Sequence, residues 1–377
     1  MPRRPRLLVV GPLPPPVGGV ETVTQAVLES PAFADFDVTH CSTTKGPTKE
    51  KVGRFDADNI LWALRHFSRM SAAMTRSRPD VVYLAVSGTW SGFLRDAVLA
   101  GIARRGGARV VGHIHGSNFH EILERHGLAE RIVRTGLDQF DSLLVLGEHW
   151  RGLIEAYGVR ARYAVAPSTF RREVPERGLA WTPPERGDRE VVGLLAGSLG
   201  RRKGVFDLLD ALAACKAAGL RFRMVFVGPE EHVGDWDALL RRRRELGLED
   251  LAEFTGPLQG EPLYDRFRAS DLYVMPSYTE GLPVAFFEAG AFGLPVITTP
   301  VGSITDLIRH GENGLLVQPG HIDELVEAIG RLARDPAERR RLGARLRQDV
   351  MEFHPDRVCA RIAAEVRAVL APAEKRS

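Results

Sequence analysis

The residues best placed to do chemistry share one segment, Pro276-Ser277-Tyr278-Thr279-Glu280-Gly281-Leu282-Pro283-Val284-Ala285-Phe286-Phe287-Glu288. It directly follows the apolar run Leu272–Met275. Gly281 permits an unusual backbone turn, and Pro283 suits the first turn of a helix. The segment therefore reads as strand, loop, helix. The N–H groups around Leu282 and Val284 would then face an anion, with the helix dipole behind them. Glu280 falls in the loop. Glu288 falls in the second turn, among Ala285, Phe286, Phe287 and Ala289, where a carboxylate needs hydroxyl or cationic partners. One carboxylate is expected to meet a ligand before the helix and the other beside it. The competing reading is a capping or salt-bridged glutamate.

A second cluster, Gly197-Ser198-Leu199-Gly200-Arg201-Arg202-Lys203-Gly204, follows the apolar run Val191–Ala196. A glycine-rich turn with three cations ahead of a helix is a phosphate site in outline, because Arg grips two oxygens and Lys supplies a point charge. The spacing is not that of a Walker A loop. Its place at the carboxyl end of a strand, where open α/β sheets bind ligands, favours function over a solvated turn. A third glycine loop, with Gly18-Gly19, leads from the first strand into a helix, where paired glycines let N–H groups approach an anion. It lacks the dinucleotide spacing G-x-G-x-x-G. In His113-Ile114-His115-Gly116, strand alternation puts both histidines on one face; His115, nearer the carboxyl end, is the better functional candidate. No third ligand completes a metal set beside them. Asp56-Ala-Asp58 and Asp235-Trp-Asp237 both precede helices and read as caps. Arg241–Arg244 reads as a solvated helix face.

These groups need a scaffold. Apolar runs with little alternation recur at Leu7–Val10, Val81–Val86, Val110–His115, Leu143–Leu146, Tyr163–Ala166, Val191–Ala196, Met224–Val227, Leu272–Met275, Val296–Thr298 and Gly314–Val317. Strands covered on both faces look like this. Amphipathic stretches fill the gaps between them. Such alternation predicts an α/β fold of right-handed βαβ units with parallel sheets. A polar, proline-rich stretch between Pro167 and Glu190 reads as a linker, so the 377 residues divide into two α/β halves. A net charge of +3 is too small to suggest nucleic acid as a partner. Cys41, Cys215 and Cys359 are too far apart for a zinc ribbon or a disulfide framework. No signal segment or membrane span is apparent, and a soluble, cytoplasmic protein is expected. Arg3, Arg4 and Arg6 would give at most weak contact with an anionic membrane surface.

The chain resembles family 4 retaining glycosyltransferases of the GT-B type, over nearly its whole length. The resemblance rests on Glu280, seven residues, then Glu288, continued by Ala289-Gly-Ala-Phe-Gly293-Leu-Pro-Val-Ile-Thr298, Val301-Gly302-Ser-Ile-Thr-Asp306 and Gly311-Glu-Asn-Gly314. It implies two Rossmann-like, doubly wound parallel-sheet domains facing across a cleft. Residues 1–180 would form the acceptor side and 190–353 the nucleotide-sugar donor side, with a C-terminal helix in 354–377 crossing back to the first domain. It further implies a nucleoside diphosphate sugar as donor and a saccharide, lipid-linked or small-molecule acceptor. The reaction would retain anomeric configuration and need no metal or other cofactor. By this resemblance Glu280 bonds the sugar's hydroxyls and Glu288 the ribose. The backbone of Gly281, Leu282, Pro283 and Val284 meets the diphosphate or sugar. Gly18 and Gly19 line the site, His115 stands near the donor sugar, and Lys203 grips the diphosphate. The sequence departs from the family at Ser198, where Arg is common, leaving Arg201 or Arg202 to supply that charge. A non-catalytic nucleotide-binding protein or a GT-B epimerase or phosphorylase is the rival expectation.

Overall fold

The computed structural model describes residues 3–15, 18–44, 57–116, 119–181 and 189–371, with backbone alone for 57–62. The chain divides into two compact units, one of residues 1–171 and 353–377 and the other of 172–352. In the first unit lie β1 (Arg6–Gly11), α1 (Gly19–Glu29), β2 (Asp37–Ser42), α2 (Ala57–Ser77), β3 (Val81–Val86), α3 (Trp90–Arg105), β4 (Arg109–Ile114), α4 (Phe119–Leu123), α5 (Leu128–Leu137), β5 (Ser142–Val145), α6 (Glu148–Tyr157) and β6 (Arg162–Val165). The second contains α7 (Glu173–Leu179), β7 (Val191–Ala196), α8 (Val205–Ala217), β8 (Phe222–Val227), α9 (Asp235–Glu245), β9 (Ala252–Gly256), α10 (Glu261–Ala269), β10 (Leu272–Met275), α11 (Val284–Ala291), β11 (Val296–Thr298), β12 (Gly314–Leu316), α12 (Ile322–Arg334) and α13 (Pro336–Asp349). The last helix, α14 (Pro355–Leu370), belongs to the first unit.

Each unit holds a parallel sheet of 6 strands, in the orders β2-β1-β3-β4-β5-β6 and β12-β11-β10-β7-β8-β9. The interior strands are the anticipated ones. Val81 to Val86 and Val191 to Ala196 are buried throughout, as a sheet with helices on both faces requires. Of the four edge strands the sequence reading anticipated β6 and β12 and missed β2 and β9. β2 runs Asp-Val-Thr-His-Cys-Ser, with most of its side chains partly open, and β9 runs Ala-Glu-Phe-Thr-Gly. Each of these two bonds on one side only, and neither carries a continuous apolar run to read. Register is pinned by a device used three times. Asp80, Asp141 and Asp271 stand just before β3, β5 and β10. Each accepts an N–H from the first or second residue of the neighbouring strand, Arg6, Val110 and Val192 respectively, at 2.8 Å. Those N–H groups would otherwise lack a ladder partner.

α14 completes the core of the first unit. Val358, Cys359, Ile362, Ala363 and Val366 pack with Leu7, Val9, Val81, Tyr83, Val111 and Leu144. Polar bonds fix its axis: Glu365 accepts from the Ser142 hydroxyl at 2.7 Å, and Arg367 forks onto Asp35 at 2.7 and 2.9 Å. That guanidinium holds the Asp35 carboxyl below its usual range.

The boundary expected near residue 180 falls instead at 171/172. The polar stretch read as a linker contains α7, and α7 is bound to the second unit. Tyr264 donates to Glu173 at 3.1 Å, and Arg177 to Glu261 at 2.7 Å. Gly178 lies so close to α11 that a β-carbon there would come within 2.4 Å of the Ala291 carbonyl oxygen. Gly178→Ala should therefore lower the stability of the second unit by about 1 to 3 kcal/mol. Hydrogen exchange should show the loss in α11 and β10, with the amides of β3 and β4 unchanged. Equal loss in both units would reverse the assignment of α7.

Candidate functional site

The chain order of the second sheet reverses beside β7: β8 and β9 extend to one side, β10, β11 and β12 to the other. A doubly wound sheet places its ligand crevice at such a reversal, at the carboxyl ends of the strands, where the loops after β7 and β10 both lie. Tyr273 ties the two strands below it. Its hydroxyl donates to the Ala196 carbonyl at 2.7 Å. Burial raises the pKa of that phenol, and the Glu280 and Glu288 charges raise it further.

The two predicted clusters meet at this crevice. Gly204 takes φ +67° as N-cap of α8, and a side chain there would also drive a β-carbon to 2.1 Å from the Pro276 carbonyl oxygen. Only glycine serves both needs. The loop after β7 thus lies directly on the loop after β10. Tyr278 N–H donates to the Arg202 carbonyl at 2.8 Å, and the Tyr278 hydroxyl donates to Asp207 at 2.6 Å. That second bond pushes the phenol up to about 12.

Within this frame Lys203 Nζ donates to Glu280 Oε1, and both side chains are buried. The Arg202 guanidinium stands 3.6 Å from the same oxygen. It also donates to Glu231 Oε1 at 2.5 Å, to the Thr279 carbonyl at 3.3 Å and to Ser198 Oγ at 3.3 Å. Arg202 thus reaches back to the position where the sequence lacks an arginine. Arg201 instead lies over the Phe206 ring, 4.4 Å from its centroid. Pro283 caps α11, Gly281 and Leu282 are buried ahead of it, and Val284 opens the helix with first-turn N–H groups that no intrahelical carbonyl can satisfy. Glu288 is buried in the same helix. The hydroxyls of Ser277 and Ser303 are buried with no hydrogen-bond partner among the described residues, while Ser303 N–H donates to the Gly281 carbonyl at 2.9 Å. Sequence reasoning missed Tyr273, Glu231 and Ser303, because none carries a spacing that marks it.

The first unit separates its two histidines by role. His113 is fully buried and bonded at both ends, to the Tyr83 hydroxyl at 2.7 Å and to the Ala166 carbonyl at 2.8 Å. Nε2 must carry the proton for Ala166, leaving Nδ1 to accept from Tyr83. Burial lowers its pKa from 6.5 to about 4. The His115 ring lies 4.0 Å from it, centroid to centroid, and neither His115 nitrogen has a partner among the described residues. Burial and His113 depress its pKa as well. Its loop is seated by Gly116 against Gly88, where a β-carbon on Gly116 would stand 2.1 Å from the Gly88 α-carbon. Gly18 is the extended N-cap of α1, and Gly19 its first residue.

Asp235 accepts from the His232 N–H at 3.0 Å, a turn-closing role; Asp56 lies outside the described residues. No group of three or more His, Cys, Asp or Glu among the described residues is arranged to hold a metal ion. Arg241–Arg244 is not wholly a solvated face. Arg242 binds Asp210 at 2.7 Å, and Arg243 donates to the Ala252 carbonyl at 3.1 Å, tying α9 to α8 and β9. Among the described residues no helix is long and apolar enough to cross a membrane.

Residues 18–169 match the family described as "Glycosyl transferase 4-like domain", and residues 183–349 match "Glycosyl transferases group 1". D-inositol 3-phosphate glycosyltransferase of Rhodococcus erythropolis is 37% identical over 155 residues, 38% of this chain and 35% of the relative. The protein of that name from Nocardia farcinica is 31% identical over 206 residues, 52% of this chain and 46% of the relative. The chain thus spans less than half the length of these curated relatives. Sucrose-phosphate synthase from Thermosynechococcus elongatus shares the fold with a TM-score of 0.77 at 18% identity, covering 97% of this chain and 99% of that one. Anabaena Alr3699/HepE in complex with UDP does so with a TM-score of 0.71 at 19% identity, covering 96% and 100%.

The histidine geometry makes stability depend on pH with a definite sign. Above pH 6.5 His113 is neutral whether folded or unfolded and contributes nothing. Between 6.5 and about 4 the unfolded chain takes up a proton that the folded chain refuses. Stability falls with pH across that window, by ~3 kcal/mol from this group. His113→Gln keeps a donor for Ala166 and an acceptor for Tyr83 but does not titrate. Denaturant unfolding at several pH values should show the variant gaining on the wild type by that amount as pH falls. A constant difference would mean that His113 takes up its proton as readily in the fold as in the unfolded chain.

Proposed function

The chain is a GT-B glycosyltransferase of the group 1 family, and from that premise we propose that it transfers a sugar from a nucleoside diphosphate sugar to an acceptor hydroxyl with retention at the anomeric carbon. The observation that carries this reading is the buried Lys203–Glu280 pair beside Arg202, at the carboxyl ends of β7 and β10. Two cations and the first-turn N–H groups of α11 suit a diphosphate, and a carboxylate among them suits sugar hydroxyls. Lys203 and Arg202 stabilise the charge that develops on the departing phosphate oxygen, in place of a metal ion. Glu280 orients the sugar and Glu288 the ribose.

In this mechanism the bond from the anomeric carbon to the phosphate oxygen breaks. The acceptor oxygen bonds to the same face, and its proton passes to the released phosphate. No protein nucleophile is required. His115 is neutral, and neither of its ring nitrogens has a partner among the described residues, so it stays available to a ligand of the first unit. The solved neighbours in complex with UDP and with UDP-glucose support a uridine nucleotide as the first donor to try. The relatives' name, which contains inositol 3-phosphate, adds a phosphorylated polyol to the saccharide, lipid-linked and small-molecule acceptors to be screened.

The two glutamates should have separable defects. Glu280→Gln should lower turnover while leaving nucleoside diphosphate affinity near wild type. Glu288→Gln should weaken that affinity by roughly 1.5 to 3 kcal/mol, since a charged acceptor facing hydroxyls becomes a neutral amide. Isothermal titration with UDP and GDP, beside a melting curve for each variant, checks both. Lowered melting with no selective change in binding or turnover would return both residues to structural roles.

Donor hydrolysis or transfer should also survive EDTA, because fixed cations take the metal's part. Activity abolished by the chelator and restored by Mn²⁺ or Mg²⁺ would overturn the metal-free mechanism.

A further inference from the structure

We infer that Glu231 is a positioning residue that aims the Arg202 guanidinium at the donor's diphosphate; this rests on the nucleotide-sugar reading of the site. Arg202 spends its nitrogens unequally. Nε makes the short bond, 2.5 Å to Glu231 Oε1, whereas the two terminal nitrogens make long ones, 3.3 Å each to Thr279 O and Ser198 Oγ. Nε is the nitrogen on the side-chain stem, so holding it fixes the guanidinium plane. The terminal pair, which forms the fork that grips phosphate oxygens, is left on bonds weak enough for a ligand to replace.

Exposure follows the same division. The Glu231 side chain is 9% exposed and that of Arg202 30%, so the anchor is buried and the anchored group is open. Glu231 Oε2 is buried and meets no donor among the described residues, so the carboxylate is oriented through Arg202. The backbone places it independently. Glu231 N–H donates to the Leu199 carbonyl at 3.0 Å, and Leu199 N–H to the Pro229 carbonyl at 2.8 Å, so the segment after β8 runs along the loop after β7. Gly200 leaves room for it: a β-carbon there would stand 2.6 Å from both Cβ and Oε2 of Glu231.

The opposite role is physically possible. A carboxylate that merely neutralised Arg202 would weaken diphosphate binding, and its removal would tighten it. Titration calorimetry with UDP and GDP separates the two. Glu231→Ala should weaken binding about tenfold in the wild type and leave it unchanged in an Arg202→Ala background, the signature of two residues acting as one. Glu231→Gln, whose amide oxygen still accepts from Nε, should cost about threefold or less. Glu231→Asp, one methylene too short, should resemble Glu231→Ala, and it replaces that variant in the cycle if Ala does not fold. Gly200→Ala, which must displace Glu231, should weaken binding in the wild type and not in Arg202→Ala. Unchanged or tighter binding in Glu231→Ala, or an equal loss in both backgrounds, overturns the inference while the donor reading stands. A wild type that binds neither nucleotide overturns the donor reading, and the inference with it.

Discussion

Lys203 and Glu280 stand 77 residues apart in sequence, and the second unit brings them together in a place that water barely reaches. Burying two charges costs several kcal/mol per ion, and their attraction repays this only when geometry and further hydrogen bonds are favourable. Such a pair is poor evidence for stability. It is better understood as a requirement laid on the fold. The loops after β7 and β10 must touch, which fixes glycine at 204. The strands beneath them must not slip, which the Tyr273 bond to Ala196 prevents. Arg202 adds a second cation to the same carboxylate, held by groups from three separate segments. Little of this improves packing. All of it fixes the position of charge.

The first unit meets a comparable demand with neutral groups. His113 is a prop, bonded at both ends and kept uncharged by burial, and His115 leans against it with nitrogens that meet no partner among the described residues. Desolvation here selects the protonation state, whereas the second unit sets opposite charges directly against one another. The two units use one sheet architecture and opposite electrostatic strategies.

What the sequence disclosed follows physical lines. Strands covered on both faces were legible because they must be continuously apolar, and glutamates in an apolar helix were legible because they have no business there otherwise. The edge strands β2 and β9 were not, since half their surface is free to be polar. Tyr273 was hidden for the converse reason: within Leu-Tyr-Val-Met it looks like core, and its hydroxyl matters only once β7 is known to lie alongside. Glu231 sits in a charged stretch where its N–H bond to the Leu199 carbonyl and its bond to Arg202 distinguish it from its neighbours. Whether Arg201 or Arg202 faces Ser198 was likewise a question of side-chain direction in an irregular turn, which residue types do not encode. The boundary was misplaced because α7 is short and polar outward, and its allegiance lies in contacts with α10 and α11.

The discontinuity of the first unit has a consequence for synthesis. A ribosome delivers residues in order, and residues 172–352, which carry their own sheet and core, are made before those of α14. Until then the nascent first unit lacks Val358, Ile362 and Val366, and Leu7, Val9 and Tyr83 have an uncovered side. That apolar surface must wait, exposed to solvent or to chaperones, while an entire neighbour folds. The earliest residues of the chain are therefore among the last to reach their final environment.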